Sequence, residues 1–185
     1  MRLAPAAVLL ACLAGCGAPQ QPLEVYGTVP EFTLSAHTGA PFVSSQELAG
    51  KIWVVDFIFT NCQGPCPRMT SQMGKVQAAT ESLPDVRFVS ITVDPDRDTP
   101  EALAAYAKRH HAGPKWSFLT GPQATLHKLK REVFLLGNVD GQLNHSTRFV
   151  LVDQNGQIRA FYDTSEPDSI SRVIADIKRL AKPNT

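Results

Sequence analysis

Two cysteines, Cys62 and Cys66, stand in the segment Phe59-Thr60-Asn61-Cys62-Gln63-Gly64-Pro65-Cys66-Pro67. A tight turn there would bring the sulfurs close enough either to form a disulfide or to chelate one metal ion. Both chemistries run through the thiolate. Pro67 suits the first turn of a helix, which would set Cys66 near the N-cap. Orphan backbone N–H groups and the helix dipole at that point favour a thiolate and lower its pKa. The C-x-x-x-C spacing is one residue longer than the C-x-x-C of common dithiol oxidants and reductants, which widens the loop. Closing so small a loop adds little stability. The pair therefore reads as chemical and not as a structural staple. Inert buried cysteines do not usually sit paired between a core strand and a Pro-started helix.

Two thiolates alone satisfy a soft metal ion poorly, and imidazole is the natural third ligand. The candidates are His37, His110, His111, His127 and His145. His37 falls at a predicted hairpin tip. His110 and His111 close a predicted helix, where cationic side chains are favourable. His127 lies beside Leu126 and Leu129, off their apolar stripe. His145 stands in Gly141-Gln142-Leu143-Asn144-His145-Ser146-Thr147, directly before a predicted core strand. In a mixed sheet that loop can lie beside the N-terminus of the first helix. Spacing alone leaves the choice open.

The elements that must position these groups follow from periodicity. Glu31 to Ser44 alternates on either side of His37-Thr38-Gly39 and predicts a hairpin. Lys51 to Thr60 is dense in β-branched and aromatic residues and predicts a buried central strand. Met69, Met73, Val76 and Leu83 recur at helical spacing. Val86 to Asp94 and Trp116 to Thr120 predict further strands, with a helix between them that Asp98 can cap and Pro100 and Glu101 can start. Leu126, Leu129, Val133 and Leu136 predict another helix. Arg148 to Asp153 and Ile158 to Asp163 flank Asn155-Gly156, a strong hairpin signal. Ile170, Val173, Ile174, Ile177 and Ala181 mark a C-terminal helix. The order predicts an α/β fold: a mixed sheet flanked by helices on both faces, with an N-terminal β-hairpin. In such sheets sites form where strands end and helices begin, and Thr60 to Pro67 is such a junction.

Arg2 is the only charge before Glu24, and the apolar run Leu3 to Leu13 is too short to span a bilayer. The pattern predicts a secretory signal over residues 1–15. Leu13-Ala14-Gly15-Cys16 resembles the lipobox of bacterial lipoproteins. That resemblance implies cleavage before Cys16, lipid on Cys16, and loss of Cys12 with the signal. Residues 16–30 then predict a flexible tether, and residues 31–185 the folded domain. The expected location is the cell envelope, on a membrane and facing the periplasm or exterior, held by acyl chains. Free thiols do not persist in such an oxidising place unless something maintains them. Lys plus Arg is 18 against 17 Asp plus Glu. No basic excess exists to neutralise a run of phosphates, which excludes a nucleic-acid binder.

Three segments in order are similar to the SCO/SenC/PrrC family. They are Phe59-Thr60-Asn61-Cys62-x-x-x-Cys66-Pro67, Thr92-Val93-Asp94-Pro95-Asp96-Arg97-Asp98-Thr99-Pro100, and His145-Ser146-Thr147 followed by Leu151-Val152-Asp153-x-x-Gly156. The likeness runs from about residue 27 to 180. It implies a thioredoxin-like fold and copper bound by Cys62, Cys66 and His145. It further implies delivery of copper to the cytochrome c oxidase subunit carrying the dinuclear copper site. The family is also associated with reducing the cysteines of that site, which would make Cys62 and Cys66 a redox-active catalytic pair served by a thiol reductant protein. Gln63 departs from a common Pro, and Asn144 from a common Asp that could tune the imidazole. Neither is a ligand.

The donor chemistry agrees with copper. Copper(I) prefers thiolate, copper(II) also accepts thiolate and imidazole, and a three-coordinate site leaves a position open for transfer. Zinc would want a fourth ligand, and none is evident. Asp94-x-Asp96-x-Asp98 resembles the start of a calcium loop but has Thr99 where glycine belongs, and Pro95 and Pro100 intrude. A metallochaperone is thus the leading expectation. A thiol–disulfide oxidoreductase is the alternative, and a thiol peroxidase using Arg68 or Arg148 has no motif behind it.

Overall fold

The computed structural model describes residues 22–137 and 146–182. The expected signal, Cys12, Cys16 and His145 lie outside the described residues. Strand β4, Ile52–Ile58, is buried along its whole length, as a run that is apolar except for Asp56 requires of a strand covered on both faces. Parallel to it runs β5, Val86–Thr92, and parallel to β5 runs β6, Trp116–Thr120. Helix α2, Pro65–Ala79, makes the first crossover and α3, Pro100–Arg109, the second. On the other side β4 pairs antiparallel with β7, Arg148–Val152, which forms a hairpin with β8, Gln157–Asp163. Gly156 turns that hairpin with φ 72°, a backbone angle that Asn-Gly supplies cheaply.

The predicted N-terminal hairpin is present as β2, Thr33–Ala36, and β3, Pro41–Val43, and β2 adds antiparallel to β6. One short strand was not legible. Within the expected tether, β1, Gly27–Thr28, pairs with β8 and completes the sheet order β1-β8-β7-β4-β5-β6-β2-β3. Residues 22–30 are therefore at least partly docked. The Arg159 guanidinium donates to the carbonyls of Leu23 and Glu24.

Side chains alternate across the sheet with the period of two. Ile52, Val54 and Ile58 of β4 face Met69, Met73 and Val76 of α2, Leu103 of α3, and Val173 and Ile177 of α5, Ser169–Leu180. Trp53, Val55 and Phe57 face Leu48 of α1, Ser44–Glu47 with its cap, and Leu126 of α4, Gln123–Lys128. Helices thus cover both faces. Each such apolar side chain contributes about 1.5–3 kcal/mol through burial.

The helix expected across Leu126 to Leu136 is divided. α4 passes into a π-helical turn, Leu129–Val133, closed by Phe134 N–H donating to Leu129 O at 2.8 Å. The wider turn keeps Leu129 and Phe134 in one apolar cluster against Trp53 and Phe57. It ends at Leu135, exposed and left-handed with φ 54°. The α3 cap also differs. Thr99 Oγ1, not Asp98, accepts the Ala102 N–H, at 3.3 Å.

Candidate metal centre

α2 begins at Pro65 with Gly64 as its N-cap, so Cys66 lies inside the first turn and not at the cap. Cys62 closes the preceding turn through its N–H to Phe59 O at 3.2 Å. The Cys66 N–H donates to Cys62 Sγ at 3.4 Å, which brings the two residues together with both thiols free. They are 7% and 4% exposed, an entry for a small ion but not for an open cleft.

The lowered pKa expected of Cys66 is not found. Burial first, and the hydrogen bond with Cys62 second, push its thiol up to about 12. Removing a thiol from water disfavours its anion more strongly than one helix turn favours it. The Cys66 carbonyl accepts the Thr70 hydroxyl at 2.9 Å, and that hydroxyl shares a 2.8 Å hydrogen bond with Tyr106 of α3.

The loop before Cys62 is held by a residue that sequence reasoning assigned only to capping. The buried Asp98 carboxylate accepts the Thr60 N–H, the Thr60 hydroxyl and the Thr92 hydroxyl. This joins the end of β4, the end of β5 and the approach to α3. The signal was available: Thr60, Thr92 and Asp98 all stand at strand ends or just beyond, on one edge of a parallel sheet.

His37, His110 and His127 lie elsewhere. The His37 Nδ1 accepts the Phe118 N–H at 3.2 Å. His110 stacks against Tyr106 with ring centroids 4.3 Å apart, and burial lowers its pKa. His127 is in α4. Among the described residues no three His, Cys, Asp or Glu side chains form a metal cluster. His145 is outside them, but the segments on either side of residues 138–145 are informative. β7 is antiparallel to β4, so it starts at the sheet edge where β4 ends and the cysteine loop begins. Thr147 is fastened there. Its carbonyl accepts the Thr164 N–H at 2.8 Å and hydroxyl at 2.6 Å, and the Thr164 carbonyl accepts Gln72 Nε2 of α2 at 3.0 Å. On the other flank, buried Lys130 of the π-helical turn is electrostatically coupled to Cys66, while burial holds its ammonium below the usual range.

Known proteins share this fold. A Bacillus anthracis protein described as a SCO1/SenC family lipoprotein superposes with a TM-score of 0.75 at 38% identity, covering 89% of this chain and all of that one. BsSco, described as having a disulfide switch and as a member of the Sco family of cytochrome c oxidase assembly proteins, superposes with a TM-score of 0.75 at 29% identity over 89% of this chain and 100% of its own. A protein of Stutzerimonas stutzeri named for copper binding is 30% identical over 158 residues, 80% of this chain and 76% of that protein. The SCO1/SenC family model matches residues 20–182. With its thioredoxin-like mixed sheet and its cysteine pair at a strand-to-helix junction, the chain belongs to the SCO1/SenC family.

Proposed function

We propose that this protein is a copper metallochaperone. It takes one copper ion on Cys62, Cys66 and His145 and passes it to the oxidase subunit that carries the dinuclear copper site. The observation that carries this reading is the pair of free cysteines joined by the Cys66 N–H to Cys62 Sγ contact at the mouth of a strand-to-helix loop. Two thiolates suit a soft ion, and a third imidazole ligand leaves the site open for transfer. The relay Gln72–Thr164–Thr147 supports His145 as that ligand, because it ties the backbone two residues beyond His145 to the helix that carries Cys66. Copper binding in the Stutzerimonas relative and oxidase assembly in BsSco point the same way.

Lipid on Cys16 would hold the domain at the membrane face, as the lipoprotein relative suggests. Among the described residues no helix is long and apolar enough to cross a membrane.

The test is copper retention by the reduced domain after competition with a copper(I) chelator. One copper per chain is expected in the wild type, none in Cys62→Ser or Cys66→Ser, and weakened retention in His145→Ala. Unchanged retention in His145→Ala overturns the three-ligand site.

A further inference from the structure

Pro22, where the described chain begins, is six residues after Cys16, the expected lipid anchor. Six peptide units reach at most about 20 Å, so the part of the domain that carries Pro22 is held close to the bilayer. That part is fixed in place. The Arg159 guanidinium donates to the carbonyls of Leu23 and Glu24, and the Tyr26 N–H donates to Ile158 O at 2.9 Å. Leu23 packs on the same apolar cluster as Leu180 and Ala181 at the end of α5. The chain therefore leaves the domain beside the end of α5 and the β7–β8 turn. β7 begins at the sheet edge that carries the cysteine loop and runs away from it, so the exit and the metal loop lie at opposite ends of the sheet. Between them stands the length of β4, about 20 Å.

A cleft of about 450 Å³ opens at this exit, lined in part by Pro22, Leu23, Gln154, Arg159, Arg179 and Lys182. After Asp176 the sequence carries Lys178, Arg179 and Lys182 and no acidic side chain. Lys178 and Lys182 are exposed. The acids of this face are engaged within the protein. Asp153 accepts Arg159 at 2.6 Å and the N–H groups of Asn155 and Gln157 at 2.9 Å each. Asp176 accepts the Tyr162 hydroxyl at 2.8 Å and has Arg179 at 3.9 Å. Glu24 is exposed and interacts with the Tyr26 hydroxyl. Carbonyls at a helix end repel an anion, but here Leu180 O accepts Gln154 Nε2 at 2.8 Å and Arg179 O accepts the Lys182 N–H at 3.3 Å. Next to the exit, Val25 and Tyr26 are 54% and 49% exposed, two of the three large apolar side chains left open among the described residues. Tyrosine suits the level of lipid headgroups.

We propose that this cleft seats a phosphate-bearing headgroup of an anionic lipid, so that the domain stands on the bilayer with its metal loop turned outward. This rests on the lipid-anchor reading above. Arg159 is committed to Asp153 and the N-terminal carbonyls and shapes the cleft. Arg179 and Lys182 supply the charge that meets the phosphate, and Lys178 adds to it. Attraction of this kind falls off within a Debye length, so it acts because the short tether keeps this face at the membrane. The metal loop is left clear of lipid, where a partner's domain can reach it.

The experiment footprints lysines on the whole lipidated chain. The protein, isolated with its lipid, is added to vesicles of phosphatidylcholine alone or of phosphatidylcholine with phosphatidylglycerol. It is acylated briefly with an uncharged N-hydroxysuccinimide ester, and mass spectrometry reads each lysine. Lys178 and Lys182 should react about fivefold more slowly on the anionic vesicles than on the neutral ones. Lys75 of α2, Lys108 of α3 and Lys128 of α4, all exposed, should keep their rates within about twofold, because they lie beyond the reach of the surface potential. High salt should return Lys178 and Lys182 to the neutral-vesicle rate while the acyl chains still hold the protein on the vesicle. In Lys182→Glu, an exposed position, the protection of Lys178 should fall toward the neutral-vesicle rate. Equal rates at Lys178 and Lys182 on the two vesicle types overturn the proposal. So does slowing shared by Lys75, Lys108 and Lys128, which would mean that no face is preferred. Protection that survives high salt or Lys182→Glu overturns it as well. The mass of the Cys16 peptide separates the two readings: a chain without lipid there refutes the anchor and this placement with it, while lipid without protection refutes the placement alone. Copper retention by the same sample tests the metallochaperone reading independently.

Discussion

The Asp98 carboxylate grips Thr60 twice, accepting its backbone N–H at 3.1 Å and its hydroxyl at 2.5 Å. Thr60 is two residues ahead of Cys62, so the position of the first cysteine is set from the far side of β5. Thr92 adds its hydroxyl to the same carboxylate, and Asp98 is 0% exposed. Hydrogen bonds to a buried charged group contribute about 1.5–3 kcal/mol each, and orphaned donors add a desolvation cost. Asp98→Ala should therefore destabilise the domain by about 3 kcal/mol or more, as read by urea unfolding. Asp98→Asn, which can keep part of the pattern, should lose less. Both should also retain copper more weakly against a chelator, because Cys62 loses its anchor.

Asp56 gives stability a sign that paired carboxylates do not. Its pKa rises from 3.8 to about 7 in the fold, so the native state holds a proton that the unfolded chain releases. Its contribution is then most favourable below about pH 4. It weakens as pH rises through the window from about 4 to about 7, and is flat above. The size is on the order of 4 kcal/mol at 1.36 kcal/mol per pH unit. Asp85 and Asp163, with lowered pKa values from Lys51 and from Ser165 respectively, run the other way. The clean measure is therefore the difference between wild type and Asp56→Asn. The stability of the variant relative to wild type should rise between pH 4 and pH 7, measured by urea unfolding of the reduced, metal-free domain. A pH-independent difference would show that Asp56 is not the buried acid described.

The Arg159 guanidinium links the sheet to the N-terminal segment. It donates to Asp153 Oδ2 at 2.6 Å, to Glu24 O at 2.9 Å and to Leu23 O. Its side chain is 15% exposed and that of Asp153 is 3%, so the pair is largely desolvated. Asp153 keeps the N–H groups of Asn155 and Gln157 at 2.9 Å, which limits the charge left behind when the arginine is removed. Arg159→Ala should lower stability by about 2 kcal/mol, less than for a fully orphaned buried pair. It should also speed proteolysis before residue 27, detected by mass spectrometry of timed digests.

The strands and most helices were legible because burial imposes a period. β4 reads as a strand from its apolar density, and α5 as a helix from Ile170, Val173 and Ile177. The cysteine pair was legible because its residue types and spacing carry chemistry by themselves. What the sequence hid depends on contacts between distant segments. β1 has only two residues, Gly27–Thr28, with no periodicity to detect, and exists because β8 offers it an edge. The π-helical turn at Leu129–Val133 keeps the apolar spacing of an α-helix almost intact, so the change of winding is set by packing of Phe134. Asp98 looked like a cap because Pro100 follows it, yet its carboxylate is claimed by two strand ends. The Cys66 pKa was misjudged for a related reason: the helix start is written in the local sequence, while the burial that outweighs it comes from α3 and β4.

That reversal at Cys66 is open to direct measurement in a domain of residues 22–185, which keeps one thiol once Cys62 is replaced. In Cys62→Ser the hydrogen bond from the neighbouring sulfur is gone, but burial, the first cause of the raised pKa, remains. Alkylation needs thiolate, and a thiol with a pKa near 12 supplies only about one part in ten thousand at pH 8. The reaction of Cys62→Ser with iodoacetamide at pH 8 should be more than tenfold slower than that of a free cysteine, which has a pKa of about 8.5. The rate should still be climbing at pH 10, where a free thiol has levelled off. Denaturant should abolish both differences, which separates a buried sulfur from one already oxidised. A rate that levels off below pH 8 in the folded variant would mean that the helix start governs Cys66 after all.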